Sequence, residues 1–336
     1  MRPIAVLLAG FASMVGSSAM AEPSPEVAFK LKGSIVKIHT VTKNGGHGVG
    51  SGVVVAKDYV ATNCHVLADA AGVNVTARGE TFKPDAIKED WHHDICLLRV
   101  DYLPLPEVEL GDSEHLQYEQ PVFSIGFPGG PVKPLTTTGN IKALYPMDDS
   151  FIIRTSSSFM LGASGSAIFD EAGKLIGLNT VKSPGQGEHA YYYGVPVKWV
   201  KQLMDAPENT KIGLPGTPFW DAPENHWPYF MRVVGPAQNS RWAELKAIAE
   251  TWVAVEPENA EAHYYLGLAQ QNLGESGEAR RQYDKVMLLN SRHSSTLRAL
   301  IILARQTGNS AELQRLSLQL QQLDDTAAMQ AELVQP

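Results

Sequence analysis

Between residues 30 and 205 short apolar runs recur, each broken by glycine, proline or polar residues: SIVKIHTV, GSGVVVAK, DYVATN, DICLLRV, QPVFSIGF, SFIIRTSS, SAIFDEAGKLIGLNTV and YYYGVPV. Runs of this length, separated by turn residues, predict the strands of an all-β barrel or sandwich. Within them, FDEAGKLIGL predicts a hairpin turning at Glu171-Ala172-Gly173. VKWVKQLMD predicts one helix that closes this half. Residues 206–240 lose periodicity and are dense in proline, with DAPEN occurring twice. They predict a linker. Phe219, Trp220, Trp227, Tyr229 and Phe230 give it an apolar surface to dock against a neighbouring domain.

From Ser240 onward the apolar spacing is helical. Gly274 and Gly308 stand 34 residues apart, the period of a tetratricopeptide repeat. AEAHYYLGLAQQNLGESGEARRQYDKVMLLN resembles one such repeat. Leu266-Gly267 match its tight helix–helix contact, Ala279 its second close approach, and Tyr283 and Val286 the same face. Pro257 fits the proline ending a preceding repeat. WAELKAIAETWVAVEP and LRALIILARQTGNSAELQRLSLQLQQLDD match less well, so the resemblance implies two to three stacked units over about 240 to 325.

Composition narrows the setting. The chain has 336 residues and is 44% hydrophobic, enough for two or three domains with real cores. Its net charge of −8 argues against nucleic acid as the main partner, since phosphate binding wants a basic face. Arg2, an apolar stretch from Ile4 to Val15 and Ala19-Met20-Ala21 have the order of a secretory signal peptide cleaved after Ala21. The apolar stretch is short for a bilayer span, and no later segment offers one. A chain without a transmembrane span, periplasmic or secreted, is therefore expected. The expected divisions are signal peptide 1–21, β domain 22–205, linker 206–240, helical repeats 241–325 and tail 326–336. The two cysteines, Cys64 and Cys96, either close a loop of 32 residues as a disulfide or stand as separate buried thiols.

LGASGSAIFD, residues 161–170, sets Ser164 among small residues just ahead of a strand. An alcohol is a poor nucleophile at neutral pH. It needs a base, a group to orient that base, and donors for the oxyanion. His65 follows one β run in YVATNCHVL, and Asp94 opens another in WHHDICLLRV. The order His, Asp, Ser is one of the known chain orders of a catalytic triad.

Together these segments resemble a trypsin-like serine protease domain of the HtrA/Deg type. GSGVVVAKDYVATNCHVL resembles its glycine-rich strand and histidine motif, and HHDICLLRV its aspartate strand. VFSIGFPGG, TTTGNIKAL, GASGSAIFDEAGKLIGLNT and YYYGVPVKWVKQL resemble, in the family's order, a loop, the opening of the second barrel, the nucleophile hairpin and the closing strand and helix. The resemblance covers residues 33–204. It implies a multidomain chain: an all-β, two-barrel chymotrypsin-like domain, then an all-α tetratricopeptide-like domain. It implies that Ser164 attacks, His65 is general base and Asp94 orients it. Gly162, Ala163 and Ser164 would form the oxyanion hole. Ser158 would lie at the floor of the primary pocket and Asn179 and Thr180 on its side. The absence of an acidic floor disfavours basic side chains there and favours a small or medium apolar one. This chain has ASGSA where the family has NSGGP. Ala163 cannot pair with an N-terminal ammonium, so zymogen-type activation is not expected.

His92 and His93 are read as surface or supporting residues, in preference to a zinc site made by His92, His93 and Asp94. No CxxC or HExxH spacing is present, so neither a metal nor a cofactor is expected. The resulting expectation is a serine endopeptidase acting on protein or peptide, with a protein partner or substrate recruited at the helical repeats. The alternatives are a catalytically silent scaffold binding protein partners, or an ester hydrolase on the same triad.

Overall fold

The computed structural model describes residues 23–129, 132–184 and 190–333, with side chains to residue 323. The expected signal peptide at 1–21 lies outside the described residues. A short helix, α1 (Pro25–Lys32), leads into thirteen strands. Seven form one antiparallel sheet: β1 (Ile35–Thr42), β2 (His47–Ala56), β3 (Tyr59–Thr62), β4 (Ala70–Ala77), β5 (Glu80–Phe82), β6 (Ala86–Asp90) and β7 (Ile95–Arg99), in the order β5-β4-β1-β2-β3-β7-β6. The other six close into a barrel: β8 (Pro121–Gly126), β9 (Leu135–Met147), β10 (Ser150–Thr155), β11 (Ala167–Asp170), β12 (Leu175–Lys182) and β13 (Tyr192–Pro196). The closing helix is α2 (Val197–Met204). Of the two expected barrels only the second is a closed ring; the first is a seven-stranded sheet with β5 and β6 at its edges.

The strands read as nearly unbroken apolar runs because both faces of the first sheet are covered. Val36, Ile38, Val54, Val60, Cys96 and Leu98 fill one core. Their alternating neighbours Ile35, Val53, Val55, Ile95 and Leu97 face the other way, into a larger core shared with the closed barrel. In a strand, adjacent side chains point to opposite faces, so covering both faces removes the usual alternation of apolar and polar residues.

The expected linker is structured. It forms two short helices, α3 (Tyr229–Arg232) and α4 (Val234–Gln238), with Phe219 and Phe230 buried in the shared core. Helices α5 (Trp242–Val255), α6 (Ala260–Asn272), α7 (Ser276–Leu289), α8 (Ser294–Gln306) and α9 (Ser310–Leu333) follow. Gly267 lets α6 and α7 meet closely: a Cβ there would fall 2.6 Å from the Tyr283 ring. Ala279, Tyr283 and Val286 are buried on the facing side of α7. Trp252 of α5 and Tyr265 of α6 join the same core as Tyr145 and Tyr193 of the closed barrel.

Candidate active site

Asp94 occupies the turn between β6 and β7 in a left-handed conformation (φ 59°), which short polar side chains tolerate. Its carboxylate is fully buried and accepts from four donors. Oδ1 accepts the His65 backbone N–H at 2.9 Å. Oδ2 accepts His65 Nδ1–H at 2.7 Å, Trp220 Nε1–H at 3.1 Å, and the Thr180 hydroxyl. An ionised carboxylate is acceptor-only, so this contact puts the imidazole proton on Nδ1 and leaves Nε2 a lone pair. His65 itself is one-quarter exposed. The turn is held from behind by Asn63 Nδ2, which donates to the Asp94 carbonyl at 2.9 Å.

The cysteines are joined: Cys64–Cys96 is a disulfide with Cα atoms 4.9 Å apart. It links the residue before His65 to the strand that starts just after Asp94. Thr62 already pairs with Cys96 across β3 and β7, so covalent and ladder bonds hold both side chains to one frame.

Ser164 sits in a loop that turns twice through positive φ, at Gly162 (90°) and Gly165 (81°). Both glycines are required by space as well. A Cβ at Gly165 would fall 2.2 Å from Ser51 O, and one at Gly162 2.9 Å from Phe127 O. The loop is tied to the first sheet, since Ser51 N donates to Ser164 O at 2.8 Å. Ser51 Oγ accepts Phe127 N–H at 2.9 Å and donates to Gly162 O at 2.9 Å.

The Ala163 N–H donates to Met160 O at 3.0 Å. Among the described residues, the amides of Gly162 and Ser164 on either side donate to no protein acceptor. Of the three amides expected at the oxyanion hole, the middle one closes the turn and the outer two keep their N–H groups free of protein acceptors among the described residues. The Ser164 hydroxyl donates to Thr180 O at 3.5 Å. Among the described residues no hydrogen bond joins it to His65. Thr180 therefore stands between the three: its carbonyl takes Ser164, and its hydroxyl gives to Asp94.

The expected pocket residues separate. Thr180 gives its hydroxyl to Asp94. Asn179 is buried with neither amide atom partnered among the described residues. Ser158 does not join them. It is exposed and lines a cavity of about 610 Å³ between the closed barrel and α8, with Lys142, Arg154, Ser294 and Arg298. Beside the nucleophile loop lies a small buried cluster, Phe159, Ala163, Ala190 and Tyr192.

Two participants escaped the sequence reading. Trp220 comes from the proline-rich segment, bonds Asp94 and sets its ring edge-on to His65 at 5.0 Å. A non-periodic segment carries no signal for such a contact beyond its density of aromatics. Ser51 is hidden in a glycine-rich strand, where only the folded loop reveals its two bonds.

Next to this site, His93 lies between Asp90 and Asp148 (Nδ1–Oδ2 2.6 Å and Nε2–Oδ2 3.0 Å). Burial would lower its pKa, but the two carboxylates outweigh it and hold the ring above the usual histidine value. Burial likewise would raise Asp90, and the bonds from His93 bring it below the usual carboxylate value.

Residues 50–178 match the family described as "Trypsin-like peptidase domain". A curated relative from Halomonas elongata, named "Probable periplasmic serine endoprotease DegP-like", is 31% identical over 168 residues, 48% of this chain and 35% of the relative. "Periplasmic pH-dependent serine endoprotease DegQ" of Escherichia coli is 30% identical over 186 residues, 51% of this chain and 41% of the relative. The chain thus spans about two-fifths or less of the length of these relatives. Among solved structures, the active form of the Rv3671c protease from M. tuberculosis aligns with a TM-score of 0.50 at 20% identity, covering 62% of this chain and all of that one; this likeness is one of fold. The β half of the chain is therefore similar in sequence to trypsin-like peptidase domains and has the chymotrypsin-like β-barrel fold.

Proposed function

We propose that this protein is a periplasmic serine-type endopeptidase that hydrolyses peptide bonds in protein or peptide substrates. One observation carries the reading. A buried carboxylate fixes the tautomer of His65, and the nearby Ser164 loop holds two unspent amides, at Gly162 and Ser164. In the proposed reaction the Ser164 hydroxyl leaves Thr180 O, turns to His65 Nε2 and attacks the scissile carbonyl. His65 takes the proton and returns it to the leaving amine. Asp94 stays ionised and holds the ring. The amides of Gly162 and Ser164 receive the oxyanion, a contribution of about 10²–10³ in turnover per donor in comparable sites. With no acidic residue among Ser158, Asn179 and Thr180, a small or medium apolar side chain is favoured next to the scissile bond. The relatives' names and the disulfide, which persists in oxidising compartments, support a periplasmic location.

Helices α5–α9, over residues 241–325, are proposed to be tetratricopeptide-like and to recruit a substrate or partner. Glu261 and His293 are spent on Tyr118, just ahead of β8, so recruitment falls to the opposite side.

A silent scaffold is the second reading, favoured by the serine hydroxyl resting on Thr180 O rather than on His65. Fluorophosphonate labelling decides between them. The native chain is expected to label and Ser164→Ala to stay unlabelled. Equal absence of labelling in both, with folding intact, would sink the peptidase reading. Digestion of a peptide library separates a peptidase from an esterase.

A further inference from the structure

The turn that carries Asp94 also carries two consecutive histidines whose arrangement the proposed reaction does not use. Nε2 of His92 and Nε2 of His93 both stand 3.0 Å from a single atom, Oδ2 of Asp148. Asp148 lies between β9 and β10, at the tip of a hairpin of the other barrel. The three donor atoms lie within 4.8 Å of one another.

The protonation pattern makes the convergence informative. Asp90 Oδ1 accepts the His93 backbone N–H at 3.1 Å, and its Oδ2 is 2.6 Å from His93 Nδ1. An acceptor-only carboxylate at Nδ1 places the neutral ring's proton there and leaves a lone pair at Nε2. That lone pair then points at a carboxylate oxygen, which is repulsive unless a positive charge stands between them. A second proton on His93 is one such charge, with His92 donating as its neutral Nε2–H tautomer. A metal ion is the other, and it serves both rings and the carboxylate at once. A carboxylate behind a histidine that faces a metal is the usual outer arrangement of such sites.

Dimensions agree. With metal–ligand bonds of about 2.0–2.2 Å, tetrahedral zinc keeps its ligand atoms roughly 3.3–3.5 Å apart. The two 3.0 Å separations need only small rotations to reach that. His93 is stacked on Trp199 with ring centres 3.7 Å apart, so one ligand is already held in place. His92 and Asp148 are more than half exposed, which leaves an entry path and room for water.

We propose that His92 Nε2, His93 Nε2 and an Asp148 carboxylate oxygen bind one Zn²⁺ ion, with Asp90 orienting His93 and water completing the shell. Two imidazoles and a carboxylate suit a borderline transition-metal dication, not Mg²⁺ or Ca²⁺, which take oxygen ligands. The ion would pin the Asp94 turn to the second barrel. The same turn also holds the segment carrying Trp220, since Phe219 N donates to His92 O at 3.1 Å. The site is a clamp beside the reacting groups. The sequence reading found no metal-ligand spacing because the third ligand lies 55 residues beyond His93.

The test uses the untagged chain in a Ser164→Ala background, stripped with a chelator. Zn²⁺ is titrated by calorimetry and Co²⁺ by visible absorption. One equivalent should bind, with the intense absorption of four-coordinate cobalt, and zinc should raise the melting temperature. His93→Ala and Asp148→Ala should each weaken binding at least tenfold. Asp90→Asn keeps all three ligands and should still weaken binding about 10–100-fold. His115→Ala, an exposed histidine elsewhere, should leave it unchanged. No binding to the folded chain, or binding that survives His93→Ala and Asp148→Ala undiminished, overturns the proposal. So does an Asp148→Asn loss of melting temperature that is the same with and without zinc, because that identifies a protonated ion-pair cluster.

Discussion

A single hydrogen bond distinguishes this Asp94 from one served only by the β half of the chain. Trp220 arrives from beyond the last barrel strand, donates to the carboxylate and packs its edge on His65. Trp220→Phe keeps most of the ring and removes the donor. A hydrogen bond to a charged group is worth about 1.5–3 kcal/mol, and three other donors remain, so the low end applies. The expected outcome is about a tenfold lower kcat on a peptide substrate with KM nearly unchanged, read in steady-state kinetics. An unchanged kcat would make Trp220 a packing residue only. The same scale shows what a sequence reading can reach. His65, Asp94 and Ser164 stand out because each lies in a recognisable run. Trp220, Ser51 and the doubled role of Thr180 depend on atoms meeting across the fold, so no run of residues announces them.

Two local devices set the frame around the site. The disulfide closes a loop of 32 residues from the His65 segment to β7. Chain-entropy reasoning assigns such a loop about 3–4 kcal/mol. The double variant Cys64→Ala, Cys96→Ala is expected to lose that much in denaturant unfolding; a loss under 1 kcal/mol would show the ladder of β3 and β7 to be sufficient. The second device is the hairpin of β11 and β12, which begins just after the nucleophile loop. Its turn carries Glu171, whose carboxyl is raised to about 7 from 4.5 by burial and, to a smaller extent, by Asp170. The folded chain therefore holds that proton at pH values where the unfolded chain has released it. Stability falls as pH rises from about 4.5 to about 7 and is lowest above the folded value. Glu171→Gln cannot ionise, so it is expected to match the native chain near pH 4 and exceed it at pH 8. The side chain is partly solvated, so the gain is on the order of 1 kcal/mol. Unfolding curves at the two pH values measure it. Turn residues such as Glu171-Ala172-Gly173 were legible because turn chemistry is local. The long strand β9 was legible only through the resemblance of TTTGNIKAL and not as an apolar run, because only one face is buried: Gly139, Ile141, Ala143 and Tyr145 alternate with half-buried Asn140, Lys142 and Leu144.

At the scale of the molecule the helices and the closed barrel share one buried core. Arg154 of β10 is buried and donates to Tyr145 Oη at 3.0 Å and to Tyr265 Oη of α6 at 3.4 Å. Glu261 of α6 is buried and accepts from Tyr118 Oη at 2.9 Å and from His293 Nε2 at 2.9 Å. Burial would raise the Glu261 carboxyl, but His293, with help from Arg154, brings it below the usual value. Losing the carboxylate leaves two buried donors, the Tyr118 hydroxyl and His293 Nε2–H, without an acceptor, at about 1–3 kcal/mol each. Glu261→Ala is expected to lose that much, and the native chain should melt as a single calorimetric transition across both halves. Two separate transitions would show that the shared core does not couple them.

The succession of strands, the helical second half and the three residues of the proposed triad were set by sequence alone. Hydrophobic spacing and turn chemistry are short-range properties, and they survive without a fold. The closure of one barrel but not the other, the folding back of the proline-rich segment and the meeting of His92, His93 and Asp148 were decided by tertiary structure. Each depends on surfaces that exist only once distant strands have paired.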